Sequence, residues 1–170
     1  FTIWSYINNP LQIKPWTKKT MGVTFDPMRK QDTLKSGTLP SLDDINKDLA
    51  LLNDKVDAIR TYSVLKQQDQ IPELITKNKY DMNVTLGAWI DGGLDKNRLE
   101  IDTLVKVACS KNPKIRRIMV GNEVILRDEL KTATTKTKDE LIKYIREVRE
   151  RTKDCKRPPL GTSETWDVWL

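Results

Sequence analysis

The chain has 170 residues, 38% hydrophobic and 32% charged, which is enough for one domain with a real core and unlike a disordered composition. Its formal net charge of +6 comes from 30 Lys and Arg interleaved with 24 Asp and Glu. No basic block is set aside for phosphates, so nucleic-acid binding is not expected. Histidine is absent, which excludes His triads, His-ligated metals and a His general base and leaves carboxylates as the available acid–base chemistry.

Residues 1–20, FTIWSYINNPLQIKPWTKKT, place Trp4, Tyr6 and Trp16 among prolines and polar residues without a sustained period. They read as an extended, aromatic-rich lead-in, and residues 21–170 as the folded domain. A start at Phe1 rather than Met suits a processed form or part of a longer polypeptide. GVTF (22–25) is the first short run of β-branched and aromatic residues, the composition of a strand. Ser41 follows Pro40, has Asp44 three residues on, and leads into Leu42, Ile45, Leu49 and Leu52, which predicts a capped amphipathic helix. Asp43, Asp44 and Asp48 belong to its cap and solvated face.

AIRTY (58–62) is the second predicted strand, and Pro72 opens a shorter helix carrying Leu74 and Ile75 that the polar KNKYD ends. NVTLGAW (83–89) is the third strand. The helix after it, Asp95 to Cys109, puts Ile101, Leu104, Val105 and Ala108 on one face. IRRIMV (115–120) is the fourth strand. Thr137 and Glu140 have capping-box spacing ahead of Leu141, Ile145 and Val148, and LGTS (160–163) starts a fifth strand. No stretch of about 20 apolar residues is present.

Strand and helix alternate at roughly 25 to 45 residues per repeat, the size of βαβ units, which implies a parallel sheet with right-handed crossovers. The open doubly wound sheet and the (β/α)8 barrel compete. No G-x-G-x-x-G or Walker loop follows the first strand, so the nucleotide-binding form has no support. Polar and aromatic residues cluster just after strands: Asp26, Tyr62 and Ser63, Trp89, Asn122 and Glu123, Glu164 and Trp166. In a barrel these positions form the C-terminal mouth, where active sites are built.

GVTFDPM, DLALL, IRTYS, VTLGAWI, NRLEI, VGNEVILRDEL and TSETWDVWL resemble, in order from about Trp4 to Leu170, the bacterial branch of glycoside hydrolase family 17. That family acts on β-1,3-glucans, and the branch includes domains fused to membrane-bound β-glucan synthases. The resemblance implies a (β/α)8 barrel of TIM type, of which this chain carries the first four βα units and the fifth strand. It implies a retaining hydrolase or transglycosylase with β-glucan as its ligand, in which the Asn-Glu pair at the end of the fourth strand supplies the general acid/base, Glu123. No metal or organic cofactor is implied.

A retaining glycosidase places two carboxyl groups ~5–5.5 Å apart about the anomeric carbon, and partial desolvation at a barrel mouth keeps the acid protonated. On this reading Asn122 donates to the sugar 2-hydroxyl. Without the resemblance, Asn122 and Glu123 read more readily as a solvated strand cap than as a catalytic pair.

Trp89 and Trp166 are candidate stacking platforms for pyranose faces, or rim packing. Tyr62 and Ser63 are candidates to bind sugar hydroxyls or support Glu123, or to tie down a loop. Glu164 is either a hydroxyl ligand, a group tuning the acid, or an exposed rim carboxylate, and Arg60 is expected in a structural ion pair. Cys109 and Cys155 each follow a helix, and neighbouring helices bring such ends within bridging distance. A disulfide and two free thiols both remain open.

The chain departs from the family pattern in length. A (β/α)8 barrel takes ~250 residues, and the family's nucleophile is a Glu on the seventh strand, so no nucleophile is assigned and the chain alone is expected to be inactive. The missing half is expected from the same longer polypeptide, another chain or a second copy. A non-catalytic carbohydrate-binding or scaffold module derived from such a barrel is the alternative function. A polymeric glucan substrate places the protein outside the cytoplasm, at the cell surface, in the periplasm or secreted.

Overall fold

A computed structural model describes residues 17–28, 39–132 and 136–169. Trp4, Tyr6 and Trp16 of the lead-in lie outside the described residues. Five strands run parallel in the order of the sequence: β1 (Val23–Thr24), β2 (Ala58–Arg60), β3 (Asn83–Ala88), β4 (Ile115–Asn122) and β5 (Leu160–Ser163). The helices α1 (Leu42–Leu52), α2 (Ile71–Lys77), α3 (Leu94–Ala108) and α5 (Thr137–Arg151) form the crossovers, and a single turn, α4 (Val124–Arg127), follows β4 directly. Consecutive strands each pairing with the next, joined by helices, is the arrangement of a barrel wall rather than of a doubly wound sheet, in which the strand order reverses.

Alternation along the strands divides the sheet. Ile59, Val84, Leu86, Ile118 and Val120 are buried on the helical side against Ile45, Leu49, Ile71, Ile75, Ile101 and Leu104. Each such side chain contributes roughly 1.5–3 kcal/mol relative to exposure. Helix α1 begins as its sequence requires, with the Ser41 hydroxyl accepting the Asp44 N–H at 3.1 Å. Its buried face is narrower than the periodicity suggests, since Ile45 and Leu49 are buried and Leu42 is exposed.

Helix α5 corrects an expectation. Its N-cap is Lys136, without a side-chain cap, and Thr137 is the first helical residue. The Thr137 hydroxyl donates instead to Asp128, and Glu140 pairs with Lys143 at 2.5 Å. Cys109 and Cys155, beyond the C-terminal ends of α3 and α5, form a disulfide with a Cα–Cα distance of 5.3 Å, inside the usual range for such a bridge.

Candidate active site

The face of the sheet away from the helices carries Arg60, Thr85 and Arg117 in one cross-strand row and Gly87, Met119 and Gly161 in the next. Strict alternation would turn Asn122 to the helical side, because Met119 lies three residues before it. The register shows how this is avoided. Met119 pairs with Gly161 and Asn122 with Ser163, so β4 spends three residues where β5 spends two. That extra residue is a bulge, which re-aims the side chains beyond it. Gly121 supplies the backbone, at φ +81°, where an added Cβ would lie 2.4 Å from Val124 Cγ2 and 3.2 Å from Leu141 Cδ1. This is the reason for glycine before Asn-Glu.

Asn122 then meets Arg60, whose Nη2 donates to Asn122 Oδ1 at 2.8 Å and whose Nη1 donates to Ser163 Oγ at 3.2 Å. The same guanidinium lies 5.3 Å from the centre of the Tyr62 ring. The expected ion pair of Arg60 is therefore replaced by two neutral acceptors and an aromatic face. Its Nε is buried with no partner among the described residues.

Glu123 is half-buried and adopts a left-handed conformation at φ 52°. Lys66, Gln67, Lys79, Lys111 and Asp128 share this conformation, so what sets Glu123 apart is its place at the C-terminal end of a strand, where barrel active sites are built. Its N–H donates to Ser163 O at 2.7 Å and its carbonyl accepts the Arg127 N–H at 3.0 Å, so neighbours on both sides hold the conformation.

Trp89, just past β3, is anchored rather than free. Its Nε1 donates to Asp91 Oδ2 at 3.0 Å, and the Arg127 guanidinium covers the ring at 4.4 Å from its centre. Burial pushes the Asp91 carboxyl up, but the Gly93 N–H, Lys96 and Trp89 hold it below its ordinary value overall. Trp166 and Trp169, in the 3-10 turn Trp166–Trp169 after β5, are 76% and 64% exposed. Glu164 is half-buried rather than an exposed rim carboxylate. Its Oε1 accepts the Ile125 N–H at 3.1 Å, and its Oε2 is buried without a partner among the described residues.

Ser63 is engaged elsewhere. Its hydroxyl donates to Glu100 Oε1 at 2.5 Å, and the Val64 N–H donates to Glu100 Oε2 at 3.0 Å. Glu100, fully buried on α3, also accepts the Trp89 N–H, and its burial outweighs these donors and raises its carboxyl above the ordinary value. It therefore ties the segment after β2 to the segment after β3. Sequence reasoning passed over Glu100. The available signal was that Asn97 and Glu100 share the α3 stripe of Ile101, Leu104 and Ala108, all buried.

Arg60, Asn122 and Ser163 are thus brought together beside Glu123, whereas Ser63 is committed to Glu100 and Asp26 is exposed beyond β1. Among the described residues no group of three or more His, Cys, Asp or Glu could hold a metal ion. A cleft of about 430 Å³ between Gly92, Leu94, Glu129 and Tyr144 does not include Glu123. The candidate site is the open concave face of the sheet.

The strand order and the crossovers define the first half of a (β/α)8 barrel. Residues 22–170 match the model of the BtgE/BtgC glycoside hydrolase domain, and the chain belongs to that family. Proteins named as the glucan endo-1,3-β-glucosidase btgC are 31% identical over 153 residues in Aspergillus niger and 30% identical over 156 residues in Aspergillus fumigatus. Each match covers 87% of this chain but 22% of the relative, so the chain spans about a fifth of their length. These relatives are fungal, not of the bacterial branch named above.

Three solved structures share the fold. One is an active-site mutant of Rhizomucor miehei β-1,3-glucanosyltransferase in complex with laminaritriose, with TM-score 0.67 and 19% identity, covering 88% of this chain and 51% of that one. Another structure of a Rhizomucor miehei β-1,3-glucanosyltransferase is described as glycoside hydrolase family 17. The other solved structure is an endo-laminarinase from Formosa, with TM-score 0.69 and 23% identity, covering 88% and 42%.

Proposed function

We propose that this chain contributes half of the active site of a retaining glycoside hydrolase or glucanosyltransferase acting on β-1,3-glucan, with Glu123 as its general acid/base. The observation that carries this reading is the glycine bulge that turns Asn122 onto the concave face and leaves Glu123 at positive φ at the end of β4. A carboxyl group at a strand's C-terminal end, beside a side-chain amide that faces the same concave surface, is positioned as protonation of a glycosidic oxygen needs.

Asn122, oriented by Arg60 through its Oδ1, can turn its amide N–H, which has no acceptor among the described residues, to a sugar 2-hydroxyl. Tyr62, Trp89, Glu164 and Trp166 line the approach. Trp166 has the exposure that stacking on a sugar requires, and Trp89 offers at most the ring face that Arg127 leaves uncovered. The second carboxylate, acting as nucleophile, comes from strands outside this chain. The names of the relatives and the laminaritriose complex of a structural neighbour support the substrate class. The Cys109–Cys155 disulfide supports an extracytoplasmic location, because such bonds persist in oxidising compartments.

The test is incubation of the whole protein carrying this chain with laminari-oligosaccharides, the anomeric form of the first product being read by NMR. Initial release of the β-anomer, or transfer to longer oligomers, is the expected result. Release of the α-anomer first would exclude a retaining mechanism, and saturable binding without turnover would point to the carbohydrate-binding module instead.

A further inference from the structure

The peptide unit joining Asn122 to Glu123 is pinned at both ends. Its N–H, on Glu123, donates to Ser163 O at 2.7 Å. Its oxygen, on Asn122, accepts Arg127 Nη2 at 3.1 Å and Nε at 3.4 Å. The orientation of this plane sets the direction of the Glu123 Cα–Cβ bond, so whatever fixes the oxygen aims the carboxyl group.

Arg127 is itself immobilised on all sides. Nη2 also donates to Ile90 O at 2.6 Å, Nη1 pairs with Glu129 at 2.6 Å, and the guanidinium plane stacks on Trp89 at 4.4 Å. Its side chain is only 20% exposed. One planar fork thus joins the ends of β3 and β4 through two carbonyls and an aromatic face. A lysine ammonium cannot reproduce that geometry, because it is a point charge without a plane or a bidentate fork.

We infer that Arg127 is a positioning residue for the acid/base, clamping the Asn122–Glu123 peptide so that the Glu123 carboxyl is aimed at the glycosidic oxygen. The inference rests on the proposed role of Glu123. Arg127 touches no substrate in this account, and the part of Trp89 that faces it is support for the clamp rather than sugar-binding surface.

The experiment compares wild type, Glu123→Gln, Arg127→Lys and the double variant in the whole protein. Two substrates are used, a laminari-oligosaccharide and a dinitrophenyl laminaribioside whose leaving group needs no proton. Loss of hydrogen bonds from a charged, largely buried donor corresponds to about ten- to hundredfold in rate. Arg127→Lys is expected to lose that much in kcat/KM on the oligosaccharide, with little change in KM, and only a few-fold in kcat/KM on the activated substrate, the parameter that reports formation of the glycosyl-enzyme and not the base-assisted second step. It should add little to Glu123→Gln, because residues acting through one group are non-additive.

Equal loss on both substrates, or full additivity with Glu123→Gln, overturns the positioning role while leaving Glu123 as acid/base. Wild-type rates for Glu123→Gln overturn both. Should Arg127→Lys fail to fold, Glu129→Gln decides. It releases only the exposed Nη1 anchor, with an expected loss of about two- to threefold confined to the oligosaccharide, and no such preference overturns the role.

Discussion

Gly121→Ala tests the bulge on which the site depends. The added methyl meets two penalties that can be sized separately. A residue with a Cβ in left-handed backbone costs ~1–2 kcal/mol, and φ at this position is +81°. The Cβ also lies 2.4 Å from Val124 Cγ2, with Leu141 Cδ1 at 3.2 Å behind it, and overpacking of this kind costs ~1–3 kcal/mol. Together they amount to roughly 2–5 kcal/mol, a large share of the 5–15 kcal/mol typical of a folded domain.

Gly161→Ala is the control. Its Cβ would meet Met119 Sδ at 3.6 Å, an ordinary contact at an unstrained position, and it is expected within about 0.5 kcal/mol of wild type. Urea denaturation followed by tryptophan fluorescence separates the two. A Gly121→Ala protein as stable as Gly161→Ala would refute the account of why glycine precedes Asn122 and Glu123.

Three further outcomes are expected. Replacing Cys109 and Cys155 by serine removes a cross-link between residues 46 apart, worth about 4 kcal/mol on the chain-entropy model; thermal unfolding with and without reductant reads it, and no difference would mean the bridge does not form. Because Glu100 has a raised carboxyl pKa in the folded state, its contribution is full below its unfolded value and falls as pH rises through the folded one. Denaturation at several pH values should therefore show wild type losing stability relative to Glu100→Gln across that window, and a constant difference would contradict it. Trp166→Ala should weaken laminari-oligosaccharide binding by about 1 kcal/mol by calorimetry, whereas Ser63→Ala should lower stability by ~1–3 kcal/mol through Glu100 and leave affinity unchanged; the opposite pattern would exchange their roles.

The strands were legible because each is a β-branched run bounded by polar residues, and the helices because Ile45 and Leu49, or Ile101, Leu104 and Ala108, repeat at helical spacing. What was missed depends on partners far away in sequence. The acceptors of Arg60 lie 62 and 103 residues away, so its composition-based reading as an ion pair had no access to them. Thr137 has the local spacing of a capping box, but Asp128 at the end of α4 takes its hydroxyl. Arg127 looks like a surface residue in VILRDEL, and only the meeting of the β3 and β4 ends gives it the Ile90 carbonyl and the Trp89 ring. The Asn-Glu pair was legible as a motif. The bulge that orients it was not, since one extra residue in a ladder leaves no trace in hydrophobic periodicity beyond the glycine.

The most direct test of the account is the rate of β-1,3-glucan cleavage by Glu123→Gln in the whole protein, measured with and without added azide. Positioned proton transfer contributes ~10²–10⁴-fold, so the variant should lose about that factor while keeping its circular dichroism spectrum. On a dinitrophenyl glucoside, azide should partly restore turnover by replacing base-activated water in the second step. Cleavage of β-1,3-glucan at the wild-type rate by a folded Glu123→Gln protein would contradict the role given to this residue.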